Sequence, residues 1–175
     1  MRPVIFLVVT LLFLNCHNTG RIKAKEEKSK IADFLTVSLK TKLAEDDILE
    51  VYYSESVQTP YNNQDKVSLY VKGDSVIQKI VFRLPDRIYP MKLRIDLGSK
   101  RHETPIQLEE IVLTTGGNSR VFKFEEIKTN FRKNQYLEIN PESNGYLRKL
   151  INGVYDPFIL SGDLTKITVA LFSEN

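Results

Sequence analysis

Three pairs of adjacent carboxylates stand out first in this 175-residue chain: Asp46-Asp47, Glu109-Glu110 and Glu125-Glu126. Paired carboxyls do general acid–base work in glycosidases, where they face each other across a sugar about 5 to 9 Å apart. Neighbours on one strand point to opposite faces, so an adjacent pair does not meet that requirement alone. Solvated turn and edge positions are the plain reading of all six. A serine nucleophile needs a base, and the body holds one histidine, His102, in the turn-like run Ser99-Lys100-Arg101-His102-Glu103. No G-x-S-x-G elbow accompanies it, so it reads as a loop histidine. The glycines do not cluster as phosphate loops or dinucleotide fingerprints require. One cysteine and two distant histidines leave no framework for a zinc site. Asp74 and Asp163 stand in turns of the kind that hold structural calcium, but no ligand-count pattern surrounds them. No catalytic residue, metal ligand or cofactor is expected.

Binding chemistry has more to work with. Sugar recognition uses flat apolar surface for C–H faces, with planar hydrogen-bonding groups beside it. Tyr70, Arg94 and Asp96 alternate outward from segments expected to neighbour one another in a sheet, and they are the candidate ligand-binding face. The competing reading is ordinary cross-strand pairing, with Arg94 and Asp96 forming a surface ion pair worth under about 1 kcal/mol. The chain has no Trp, which weighs against sugar binding.

The amino terminus speaks of location. Met1-Arg2-Pro3 precedes an apolar run from Val4 to Leu14, then Asn15 and Cys16. This is the layout of a secretory signal, too short for a span needing about 20 apolar residues. Cys16 sits where a lipoprotein signal places its lipidated cysteine, although Asn15 replaces the usual small residue. The alternative is an ordinary signal, giving a secreted protein or a single N-terminal anchor. Residues 1–16 are therefore expected to be a signal or lipid-anchor segment, and 17–30 a polar tether. The remaining charge is nearly balanced, which argues against nucleic acid as a partner.

The elements that must carry these residues alternate with a period of two. Leu35/Val37/Leu39, Leu49/Val51/Tyr53, Val67/Leu69/Val71, Leu93/Ile95/Leu97 and Ile167/Val169/Leu171 each give one apolar face, as half-buried strands do. Val76 to Leu84 is apolar on both faces and suits a central strand. Val121–Phe124 and Gln135–Ile139 add two more. Along Ile106 to Leu113 the phase slips at Glu109-Glu110, which predicts a bulge or bend there. Tyr146, Leu147, Leu150 and Ile151 follow helical spacing, so a short helix is expected over roughly 143–151. Turn signals at Lys72-Gly73-Asp74, Gly98-Ser99-Lys100, Gly116-Gly117-Asn118 and Ser161-Gly162-Asp163 separate the runs. The expected fold is all-β: one antiparallel, jelly-roll-like sandwich over residues 31–175, with one short helix near the C-terminus.

The succession Asp46–Tyr53, Val71-Lys72-Gly73, Gln78–Pro85, Leu93-Arg94-Ile95-Asp96-Leu97-Gly98, Ile106–Leu113 and Asp156-Pro157-Phe158-Ile159-Leu160 resembles a β-sandwich accessory domain of bacterial glycan-building proteins. That domain is attached to membrane-embedded and cytosolic glycosyltransferases, and is similar to carbohydrate-binding modules. The resemblance runs over most of the chain from about residue 34 and implies a sandwich that serves glycan binding or assembly, here behind a signal or lipid anchor. The functional expectation is a non-catalytic, envelope-anchored module. Its partners would be a membrane through the anchor and a polysaccharide or an envelope protein. The alternative is a structural or protein-interaction lipoprotein with no small-molecule ligand.

Overall fold

The computed structural model describes residues 34–101 and 103–173. The signal-like run, Cys16, the linker and His102 lie outside the described residues. Eleven strands and two helices follow in order: β1 Thr36–Leu43, β2 Asp47–Ser54, β3 Lys66–Val71, β4 Gln78–Arg83, β5 Lys92–Asp96, β6 Ile106–Thr115, β7 Asn118–Lys123, α1 Phe124–Asn130, β8 Phe131–Lys133, β9 Leu137–Ile139, β10 Gly145–Arg148, β11 Phe158–Ser161 and α2 Thr165–Ser173.

They form two antiparallel sheets. The first has the order β4-β1-β6-β10-β9, with β7 also paired to β6. The free flank of β6 is shared: β10 takes Ile106 and Gln107, and β7 takes Glu110 to Thr115. The second has the order β3-β2-β5-β11-β8. The inward faces of both sheets supply one core, including Val37, Leu39, Leu49, Val51, Phe82, Ile95, Leu113 and Phe122. An edge-to-face contact between Phe122 on β7 and Phe131 on β8 (5.4 Å) ties the two sheets, and one between Phe124 and Tyr146 (5.6 Å) docks α1 on β10. The protein is an all-β sandwich with a C-terminal helix.

The expected bulge is present. Lys40 on β1 faces Glu110, and Thr41 faces Leu108, so Glu109 is the extra residue. Ile106, Leu108, Ile111 and Leu113 thereby all reach the core, each with no exposed surface.

Three expectations are corrected. Residues 143–151 are not helical: Gly145–Arg148 is β10, with Tyr146 and Arg148 facing inward. The apparent helical spacing arises because Asn152 (φ +51°) and Gly153 (φ +76°) form a tight turn joining Ile151 to Val154, which leaves Leu150 41% exposed. Conversely, the Ile167/Val169/Leu171 alternation belongs to α2, where Thr168 and Leu171 are buried, in helical phase with Leu164 just before the helix, and Val169 faces solvent. The Asp163 carboxylate accepts the Thr165 N–H at 2.8 Å at the helix start, and the Thr168 hydroxyl donates to the Pro90 carbonyl at 2.6 Å. Finally, Val76 to Leu84 is not central. Among the described residues, strand β4 pairs with β1 alone, and Val76 and Val81 are exposed because no described layer covers the outer face of this edge.

Candidate functional site

Strand register places the predicted binding residues on the outer face of the second sheet. Opposed residues in an antiparallel pair share a face, so the pairings can be read across it as rows. One row runs Lys66–Tyr52–Arg94–Leu160–Arg132, from β3 to β8. The next runs Ser68–Glu50–Asp96–Phe158. Tyr70 stands on the same face opposite Ile48, one row further out.

Arg94 and Asp96 form the centre of a built cluster rather than a weak surface pair. The Arg94 guanidinium donates from Nε to Asp96 Oδ1 at 2.6 Å and from Nη2 to Asp96 Oδ2 at 2.8 Å. The same Nη2 donates to Asp156 Oδ1 at 2.7 Å. Its plane lies 3.8 Å from the Phe158 ring centroid and 5.2 Å from that of Tyr52. Burial raises the Asp96 carboxyl above its ordinary value, and the bond from Arg94 opposes that rise without cancelling it. Beside it, burial alone would raise Glu50, but hydrogen bonds from Lys66, Ser68 and Tyr52 outweigh it and hold that carboxyl low.

Tyr70 is not part of this cluster. It is 62% exposed, its hydroxyl donates to Asp46, and Lys100 Nζ lies 5.0 Å from its ring. Of the three predicted residues, Arg94 and Asp96 are brought together, whereas Tyr70 shares only their face.

A groove of about 400 Å3 opens next to the cluster, where β5, β11 and β8 lie side by side. Its cause is local. Gly162 follows β11, and its N–H donates to the Asn130 carbonyl at 2.9 Å, so one position in the outward row has no side chain. A Cβ added there would meet nothing nearer than that carbonyl oxygen at 3.7 Å. Around the gap stand Lys92, Asn130, Arg132, Leu160 and Ser161, with Tyr61 from the β2–β3 loop as a wall. Burial pushes the Tyr61 phenol well above its usual range. Lys92 Nζ lies 4.7 Å from the Tyr61 ring centroid and donates to the Val57 and Thr59 carbonyls, which hold the loop against the sheet.

Sequence reasoning missed this groove. A β2–β3 loop that folds back over its own sheet leaves no periodic signal. The Ser161-Gly162-Asp163 turn was legible, but the gap it creates depends on which neighbours flank it. Reasoning also misjudged Asp47: it is fully buried and ion-paired, while Asp46 accepts from Tyr70 and from the Gly73 N–H. The other carboxylate pairs are surface groups, with Glu109 bound to Lys40, Glu125 to Lys128 and Glu126 to Arg120. The Asp74 and Asp163 carboxylates accept backbone N–H groups within their own turns. Among the described residues no cluster of three metal-ligating side chains occurs, and no helix is long and apolar enough to cross a membrane.

In chemical terms the outer face offers a shallow groove with one aromatic wall and an apolar floor at Leu160. Arg132, Asn130 and Ser161 border it; the Asn130 amide already donates to the Glu126 carbonyl and the Thr129 hydroxyl, and the Ser161 hydroxyl accepts from the Leu93 N–H and donates to the Gly162 carbonyl. Compared with protein-family models, curated proteins and solved structures, the chain matches none.

Proposed function

We propose that the chain is a non-catalytic, envelope-anchored β-sandwich module that binds a glycan in the Gly162 groove. The observation carrying this reading is the side-chain gap at Gly162, walled by Tyr61 and bordered by the Arg132 side chain. A sugar ring laid over Leu160 puts its C–H face on apolar surface and its hydroxyls against Asn130, Ser161 and Arg132. The neighbouring Arg94–Asp96–Asp156 cluster stiffens the floor, because each partner fixes the rotamer of the others. Anchoring is assigned to the segment ending at Cys16, with lipid on the cysteine sulfur holding the domain at a membrane.

Two experiments test this. The purified full chain is screened against cell-envelope polysaccharide fragments by glycan array and calorimetry, alongside Gly162→Leu. A side chain at 162 enters the groove without striking backbone, so binding is lost while the thermal midpoint holds. Absence of binding to any fragment, or unchanged binding by Gly162→Leu, overturns the glycan reading. Metabolic labelling with a fatty-acid probe, comparing wild type with Cys16→Ala, tests the anchor; label retained by Cys16→Ala overturns it.

A second reading, a protein-interaction lipoprotein without a small ligand, is favoured by one observation. Across the outer face of the first sheet Val81, Ser38, Val112 and Val121 stand in one row, with Val76 and Val81 exposed at the β4 edge. A pull-down from solubilised membranes that yields a stable partner, lost on Val81→Lys, supports it; no partner removes it.

A further inference from the structure

The groove carries an excess of positive charge, and we infer that its ligand is an anionic glycan, one bearing carboxylate or phosphate groups recognised between Lys92 and Arg132. This rests on the glycan reading of the same groove and names its substrate class.

Arg94 is held by Asp96 and Asp156, and Lys66 by Glu50, so these two cations are neutralised within the protein. Lys92 and Arg132 are different. The partners of Lys92 are the Val57 and Thr59 carbonyls and the face of the Tyr61 ring, which are dipoles and a quadrupole rather than counter-charges. Among the described residues the Arg132 guanidinium has no hydrogen-bond or ion-pair partner. Among the described residues, no carboxylate lines the groove.

The placement is also right for an anion. Lys92 is on β5 and Arg132 on β8, with β11 between them. Strands two apart are separated by about 10 Å, a span that two extended cationic side chains can close from opposite sides. The gap over Gly162 lies along that span. Arg132 supplies a planar fork of N–H donors matched to a carboxylate or phosphate, and Lys92 a point charge held in place by the loop. A neutral sugar would leave both charges uncompensated.

The test is calorimetric titration of the purified full chain with three probes: oligogalacturonate, the same oligomer methyl-esterified, and inorganic phosphate. The expected result is binding of oligogalacturonate that weakens with salt, and at least about tenfold weaker binding of the ester. Arg132→Gln is expected to lose about tenfold for the charged oligomer and clearly less for the ester, which forfeits only hydroxyl contacts with the guanidinium. Because the Arg132 side chain makes no hydrogen bond or ion pair among the described residues, the thermal midpoint of the variant is expected to stay close to the wild-type value. Lys92→Gln is a second variant with the same expected selectivity; it also frees the loop, so Arg132→Gln decides. Equal binding of ester and acid, or no effect of Arg132→Gln on the acid, overturns the anionic preference and leaves the glycan reading standing. Phosphate bound alone and lost in Arg132→Gln, without binding of either oligomer, keeps the anion site and overturns the glycan reading. No binding of all three overturns the anionic inference, and the glycan reading is then decided by the polysaccharide screen.

Discussion

Arg148 on β10 and Asp47 on β2 form an ion pair at 2.7 Å, and neither side chain has any solvent exposure. The pair joins the two sheets. Asp47 Oδ1 accepts N–H groups from Ile48, Ser99 and Lys100 at 2.8 to 2.9 Å. Arg148 donates further to the Leu97 carbonyl and to the Thr104 carbonyl and hydroxyl. Both charges are thus fully compensated, the condition under which a buried pair is tolerated. Gly98 (φ +129°) makes room for them, since a Cβ there would lie 2.4 Å from Arg148 Nη1.

Breaking that pair leaves an uncompensated buried charge. Arg148→Met or Asp47→Leu alone is expected to lower the unfolding free energy by about 3–5 kcal/mol in urea denaturation. The double variant removes both charges and should lose clearly less than the two single losses added together. Strict additivity would contradict the coupling.

Gly145 offers a steric test of β10. A Cβ at that position would sit 2.1 Å from the Ile106 carbonyl oxygen and 2.7 Å from the Gln107 Cα. Neither can swing aside, because both are backbone of a central strand. Gly145→Ala is expected to lower the thermal midpoint by several degrees, while Gly117→Ala, with open space around it, leaves it in place. An unperturbed Gly145→Ala would contradict the close approach of β10 to β6.

Glu109 is the residue that lets β6 change phase. Deleting it forces either Ile106 and Leu108 or Ile111 and Leu113 outward, exposing two core side chains. Each such loss is of the order of 2–3 kcal/mol, so the deletion should abolish cooperative unfolding. Glu109→Gln keeps the bulge, loses only the exposed contact with Lys40, and should unfold within about 0.5 kcal/mol of wild type.

Asp96 gives a pH signature of the Arg94 cluster. Its folded carboxyl titrates above the ordinary 3.8 because burial disfavours the charge. The protonated form is therefore the one the fold prefers. Its contribution is full below 3.8 and fades as pH climbs through the folded value. Acidification thus brings wild type a gain from Asp96 that Asp96→Asn lacks, and the variant should lose stability more steeply as the pH falls towards 4. Parallel slopes of denaturation midpoint against pH would sink the assignment. In carboxyl-carbon NMR, Asp96 should titrate above 3.8 and Asp46 below it, the latter held low by the bonds from Tyr70 and Gly73.

What the sequence settled by itself follows from the two-residue period. A strand with one buried face must alternate, so β1, β2, β3 and β5 were legible, as were the sandwich class and the Glu109 bulge, where the alternation breaks. The outward phase of Arg94 and Asp96 was equally readable. Short segments carried too little pattern to decide. Leu164, Ile167, Thr168 and Leu171 satisfy helical spacing while Ile167, Val169 and Leu171 satisfy strand spacing, and docking of Thr168 on the Pro90 carbonyl selects the helix. For Asp47 no local signal distinguishes a solvated turn carboxylate from a buried one, because its partner Arg148 is 101 residues away. The groove is likewise a tertiary product: a glycine is only a missing side chain until β5, β8 and a returning loop stand around it with Lys92, Arg132 and Tyr61.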